Sequence, residues 1–429
     1  PDRWGRAPAV PVRQGFVPVR RLVAPLFAAA AGVFRPLDFP EAELRDPVPR
    51  PADEGRPTPP EPAGPAVRRA PERPDERGGS EPGPRDEGDI IQRVDRPERK
   101  PGQTLRTPED SRLQRVRTTV VDWFARHARD LPWRAAGTSA WGILVSEVMS
   151  QQTPMVRVAP RWTEWMDRWP TAADLAAASP AEVLLAWDTL GYPRRALRLR
   201  ETAVAIAEEH GNTVPVGEAA LRALPGVGDY TAAAVTSFAH RAPATVLDVN
   251  IRRVLGRVFA GRSHPTPAPT RGERDWASAL VPETGHVEWN AGLMELGALV
   301  CTSRNPDCAA CPLRGDCDWF AAGRPIDPAR RPSTQTWHGT DRQLRGAIMA
   351  ALRADPDTEV PVALLVAETA DLDPEALTEL PYPVEAAVLR VRELGSAERV
   401  ARLVAALVAD GLAERTTGDA GAECLRLPR

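Results

Sequence analysis

Leu224-Pro225-Gly226-Val227-Gly228-Asp229-Tyr230-Thr231-Ala232 is the stretch on which the fold turns. Two glycines two residues apart lie between helical patterns, so the turn frees backbone N–H groups to point outward where the second helix starts. Such a turn can hold an anion, and a phosphate fits it. A lone Gly-x-Gly is a weak signal, because an ordinary helix–turn–helix corner also produces it. It becomes specific 18 residues past Tyr230, at Asp248, in the run Leu247-Asp248-Val249-Asn250-Ile251-Arg252-Arg253. Alone, Asp248 reads equally well as a helix N-cap, and so does Asn250. Arg252, Arg253 and Arg257 fall on the following helix and are candidate phosphate contacts.

Around this centre the chain has 429 residues, enough for two or three domains. No apolar run reaches 18 residues, so no membrane-spanning helix is expected. Five cysteines are too few for a disulfide-built scaffold. Lys100 is the only lysine, which leaves Schiff-base chemistry a single candidate. It lies in residues 1–108, which carry 22 of the 46 prolines and are expected to be a disordered Pro/Arg/Glu-rich extension. Within it, Leu22 to Phe34 behind Arg20 and Arg21 has the look of a secretory apolar segment. Because the chain begins at Pro1 rather than Met, the favoured reading is an upstream extension or a misassigned start.

From about residue 110 the texture changes to helical apolar spacing, and ten of the twelve tryptophans fall between Trp123 and Trp319. This part reads all-α. Expected units are 109–133 joined with 247–330, a middle lobe 134–246, and a small module 340–429. In that last module, amphipathic patterns (Leu344, Ile348, Leu352; then Val400, Leu403, Val404, Leu407) precede short alternating runs, Leu412–Arg415 and Glu423–Leu427. Helices before a small hairpin suggest a winged-helix-like α+β tail. Ten arginines against sixteen acidic residues leave 341–429 at −6, which argues against a broad grip on phosphates.

Two more constellations carry chemistry. Cys301, Cys308, Cys311 and Cys317 form C-x6-C-x2-C-x5-C, four thiolates for one metal centre, either zinc or an iron–sulfur cluster. Zinc more often uses two separated Cys-x-x-Cys pairs, and only one is present. Cys424 reads as a buried thiol. In Trp141–Pro154, Trp141, Leu144, Val145, Val148 and Met149 form the stripe of a buried helix with Glu147 beside it. A carboxyl against an apolar wall holds its proton near neutrality, as a general acid must. Thr153-Pro154 looks like an N-cap with proline at the first helical position, which puts Gln151 and Gln152 at a corner where side chains leave the surface.

Together these runs, with Leu131-Pro132-Trp133-Arg134, Leu190-Gly191-Tyr192 and Leu296-Gly297-Ala298-Leu299-Val300-Cys301, resemble the adenine DNA glycosylase (MutY-type) family of the endonuclease III-like superfamily. The resemblance covers about 112–325, half the chain. It implies an all-α, two-lobed helix-hairpin-helix glycosylase fold with a [4Fe–4S] loop ligated by the four cysteines. Endonuclease III-type relatives carry a Schiff-base lysine where Tyr230 stands, so the resemblance implies monofunctional hydrolysis without a lysine-based lyase.

Residue by residue, it implies that Glu147 protonates adenine at N7, that Asp248 stabilises or traps the oxocarbenium, and that Tyr230 supports them. Arg129, Leu131, Trp133 and Arg134 would form the adenine pocket. Gln151, Gln152 and Tyr192 would act at the base stack, and Gly226, Gly228 and Arg252 on the backbone. Departures from the family pattern are Ser150, Pro193, Val249 and Ala291, and a tail that looks too short for the NUDIX-like domain many members carry, with Trp337-His338-Gly339 a poor match to its loop. The expected partner is double-stranded DNA with adenine opposite 8-oxoguanine or guanine, met by a monomer in the cytoplasm at the nucleoid. Two rivals are a thymine/uracil mismatch glycosylase of the same superfamily and a catalytically silent DNA-binding homologue.

Overall fold

A computed structural model of the chain describes residues 105–326, 337–367, 374–418 and 421–429. The readings placed on 1–104, including Leu22–Phe34 and Lys100, lie outside the described residues. Eleven helices form the body before the cysteine loop: α1 (Asp110–His127), α2 (Ala140–Ser150), α3 (Met155–Arg168), α4 (Ala172–Ala177), α5 (Pro180–Trp187), α6 (Arg194–Glu209), α7 (Glu218–Ala223), α8 (Asp229–Phe238), α9 (Val249–Ala260), α10 (Arg271–Leu280) and α11 (His286–Leu299). A short α12 (Asp318–Ala321) follows the cysteines.

Two apolar cores organise them. One gathers Leu113, Val116, Val120 and Trp123 of α1 with the inner faces of α9, α10 and α11. Those α1 residues recur at helical spacing, and each fully buried valine contributes on the order of 1.5–3 kcal/mol. The other gathers α2 to α7 around a tryptophan-rich centre in which Trp165 meets Trp169 and Trp187 edge-on. Helix α8 serves both. Ala233 and Ala234 face the first core, and Ala232 and Val235 face the second.

Close approaches need glycine at two points of α11. A Cβ at Gly292 would stand 2.7 Å from Val120 Cγ1, and one at Gly297 would stand 2.7 Å from Asn250 Cβ. The second keeps α11 tight against the start of α9, where Asp248 sits.

Helix α2 is buried nearly all round and begins at Ser139, whose side chain accepts from the Gly142 N–H. The expected cap on α3 is not formed. Proline 154 is the N-cap, and the Thr153 hydroxyl donates instead to the Leu190 carbonyl at 3.1 Å. Thr153 therefore clasps two corners together rather than ending a helix.

The tail holds α13 (Asp341–Ala354), β1 (Val360–Pro361), α14 (Val362–Val366), α15 (Pro374–Thr378), α16 (Tyr382–Leu394), α17 (Ala397–Ala409), β2 (Glu414–Thr417) and β3 (Glu423–Arg426). The antiparallel sheet has the order β1-β3-β2, with Leu425 opposite both Val360 and Arg415. Helices α13 and α17 and the β2–β3 hairpin match the sequence pattern. Helices α14, α15 and α16 and strand β1 are additions that its short apolar runs did not announce. The tail's apolar residues are continuous with the tryptophan-rich core.

Candidate active site

Glu147 comes from α2 in one core and Asp248 caps α9 in the other, with Tyr230 on the shared helix α8. The Tyr230 hydroxyl donates to Glu147 Oε2 at 2.7 Å. Burial pushes the Glu147 carboxyl up to about 7. The Tyr230 hydrogen bond and the Arg134 charge pull it down, while the charge of Asp248 pushes it further up. The two carboxyl groups thus stand within each other's field. Burial, then the same carboxylates, hold the Tyr230 phenol well above its ordinary value, so it stays a donor.

Asp248 is also raised by burial, but the Ile251 and Asn250 N–H groups, the Asn250 amide and Arg253 all oppose the rise. Ile251 N–H reaches Oδ1 at 2.6 Å and Asn250 Nδ2 reaches Oδ2 at 2.7 Å. The environments therefore differ in kind. Asp248 is held by several donors and Glu147 by one phenol, so a single shared proton rests on Glu147.

A chain of hydrogen bonds leads away from Asp248. Arg253 donates to Asn250 Oδ1, to the Gly297 carbonyl and to the Cys301 carbonyl, each at 2.7 Å. Arg257 donates to the Thr302 and Ser303 carbonyls at 2.8 and 3.1 Å and to Cys301 Sγ at 3.3 Å, and stacks on Trp319. Arg252, expected at a phosphate, has a side chain only 5% exposed that is held by Glu273 and Thr266. The three arginines of α9 brace the protein interior; a helix carrying Arg three times gives no sign of this, because such residues are usually solvated.

Cys301, Cys308, Cys311 and Cys317 line one cavity with Val254, Leu296 and Trp319. Burial, and the nearness of the other three sulfurs, push the Cys311 thiol up to about 12. Metal ligation would take the sulfurs as thiolates and release their protons. Among the described residues no three ligand side chains close on a point that would hold a single metal ion. The donor set, four sulfurs around a shared space, fits a [4Fe–4S] cluster, ligated by these four residues.

The remaining candidates fall into two groups. Arg129 donates its backbone N–H and Nε to Glu295 Oε1 (2.8 and 2.7 Å) and Nη2 to Oε2 (3.0 Å). Arg134 reaches the same carboxylate at 3.0 Å. Burial alone would raise Glu295, but the two guanidinium groups hold it at about 2. Leu131 and Trp133 are buried beside them, Trp133 edge-on to Trp162. Gln152 and Tyr192 lie at the other side, both in left-handed backbone (φ 56° and 49°), where a non-glycine residue is strained. Gln151 Nε2 contacts Thr231 Oγ1 at 3.4 Å. In the hairpin, Gly226 takes φ 77°, and Gly228 caps α8 without a side-chain acceptor, leaving its first N–H groups free.

Arg195 and Glu295 were not singled out from the sequence. Arg195 donates to the carbonyls of Val148, Met149 and Gln151 and also to Thr153 Oγ1 and the Gly191 carbonyl, binding both strained corners. Burial lowers its guanidinium to about 10. Its only sequence signal is an arginine in the first turn of a helix. Glu295 was legible as an acid inside the apolar run Leu293-Met294-Glu295-Leu296.

Comparison with known proteins follows the same lines. The helix-hairpin-helix superfamily model for base-excision DNA repair proteins matches residues 145–278, and the iron–sulfur binding domain of endonuclease III matches 301–317. The fold is that of a helix-hairpin-helix DNA glycosylase. The chain is 50% identical over 243 residues to an adenine DNA glycosylase of Mycolicibacterium smegmatis, covering 57% of this chain and 81% of that one. It is 46% identical to an adenine DNA glycosylase of Mycobacterium tuberculosis (61% and 84% covered) and 33% identical to a thymine/uracil-DNA glycosylase of Pyrobaculum aerophilum (46% and 88%). The chain belongs to the adenine DNA glycosylase family.

Proposed function

We propose that this protein is a monofunctional DNA glycosylase that hydrolyses the N-glycosidic bond of adenine mispaired with 8-oxoguanine or guanine in duplex DNA. The observation that carries the reading is the buried Glu147 carboxyl, poised near 7, hydrogen-bonded by Tyr230 and within the field of Asp248. With Tyr230 occupying Oε2, the Glu147 proton sits on the free oxygen and passes to adenine N7. The C1′–N9 bond then breaks with its electron pair on the base. Asp248, held by Ile251 and Asn250, faces the positive sugar and stabilises it electrostatically. Water adds at C1′ and its proton returns to the Glu147 carboxylate.

The cluster, when bound, supplies a rigid anchor for the loop that Arg253 and Arg257 hold. Gln152 and Tyr192 are suited to enter the stack that the adenine leaves, and Arg129 and Arg134 to line its pocket through Glu295. Both carboxylates come from one chain, which supports action as a monomer, on genomic DNA in the cytoplasm at the nucleoid. Among the described residues no helix is long and apolar enough to cross a membrane.

Base release from duplexes with A opposite 8-oxoguanine, T opposite G and U opposite G tests the reading. Release of adenine only is expected. Release of thymine or uracil in preference would replace the adenine reading with its rival, and Glu147→Gln is expected to bind the duplex without releasing base.

A further inference from the structure

A cleft of about 970 Å³ separates the tail from the corner that carries Gln152 and Tyr192. The tail is acidic as a whole, yet four of its ten arginines, Arg342, Arg345, Arg353 and Arg390, line this one cleft. Three of the four are engaged. Arg345 pairs with Asp410 at 2.6 Å, Arg353 donates to the Asp188 carbonyl at 2.7 Å, and Arg390 pairs with Glu393 at 2.7 Å. Arg342 is different. Its guanidinium lies over the Tyr192 ring at 4.7 Å and over the Trp337 ring at 5.1 Å, with no carboxylate at salt-bridge distance among the described residues. Trp337 is itself 47% exposed. An exposed cation seated on two aromatic rings keeps its N–H fork free for an incoming anion.

We propose that the tail is a second DNA-gripping element: Arg342, seated between Tyr192 and Trp337, takes a backbone phosphate of the duplex beside the strained Gln152–Tyr192 corner. The chemistry recognised is a phosphodiester strand narrow enough to enter the cleft. This rests on the reading of the protein as a duplex-binding glycosylase and adds a contact that the two-lobed body does not contain. It also gives a role to the one of the four cleft arginines that has no acid or carbonyl partner among the described residues.

The test is binding of a fluorescently labelled, undamaged duplex to the full-length, cluster-loaded protein, read by anisotropy over a salt series. Undamaged DNA keeps turnover out of the measurement. Arg342→Ala is expected to weaken binding up to about tenfold and to flatten the slope of log affinity against log salt by about one. Arg342→Lys keeps the slope but not the seat, and Trp337→Ala is expected to weaken binding by about fivefold, the lower end of what loss of one stacked ring costs. Both residues are exposed, so melting temperatures should be unchanged. Unaltered affinity and slope in Arg342→Ala overturn the proposal, and so does a loss with no change in slope. Adenine release by the unmodified protein is scored separately: its failure would sink the adenine reading while the phosphate contact stays measurable.

Discussion

Glu147 and Tyr230 form the most consequential pair of side chains, because one hydrogen bond sets the acidity of the group that must give up a proton. Single-turnover adenine release is expected to fall as pH rises through about 7, where Glu147 loses its proton. Tyr230→Phe removes a donor whose hydrogen bond holds the Glu147 pKa down, so the falling limb should move to higher pH. A limb that stays put, or moves lower, contradicts the assignment. Glu147→Gln should cut release by about 10²–10⁴-fold, the usual range for a positioned acid. The same residue carries a stability cost. A carboxyl raised from about 4.5 to about 7 in the folded state favours folding below 4.5, and that contribution is lost as pH climbs to 7. Melting curves of Glu147→Gln should lack this decline. Glu147 was legible because an acid beside an apolar stripe is chemically conspicuous. Arg195 was not, since five of its acceptors are main-chain carbonyls and the sixth is the Thr153 hydroxyl, all brought together only by folding.

At the level of elements, the contact between α11 and the start of α9 decides where Asp248 stands. Gly297→Ala would put a methyl 2.7 Å from Asn250 Cβ and 3.1 Å from its backbone. We expect a loss of about 1–3 kcal/mol in unfolding free energy, typical of an overpacked contact. Adenine release should fall further than stability alone accounts for, because Asn250 is a donor to Asp248; full activity in a destabilised variant would count against this coupling. The helices themselves could be read from apolar spacing and caps. Which polar residues they bury could not. The α9 arginines look solvated in the sequence and turn inward because the cysteine loop offers Cys301, Thr302 and Ser303 carbonyls that need donors. Thr153 shows the same limit: its hydroxyl had a local role on paper and found a partner at Leu190, 37 residues away.

For the whole molecule, cluster loading and salt are the controls. Protein with the cluster intact should be brown, and Cys308→Ser should lose colour and melt at lower temperature; a colourless, zinc-loaded wild type would overturn the cluster assignment. Duplex affinity should fall steeply with salt. Strand cleavage should follow only added alkali, since residues 101–429 contain no lysine. The all-helical body and the β2–β3 hairpin of the tail were legible from periodicity, but strand β1 was not. The cleft beneath the tail was not, because its walls come from segments far apart in the chain, Gln152 to Arg194 and Trp337 to Leu412.

Helix α8 belongs to both cores, with adjacent alanines turned to opposite sides. Prising those halves apart would expose an apolar flank of this ten-residue helix whichever core it stayed with. The protein is therefore an anvil rather than a jaw, and the distortion needed to bring a nucleobase to Glu147 has to be borne by the double helix laid across it.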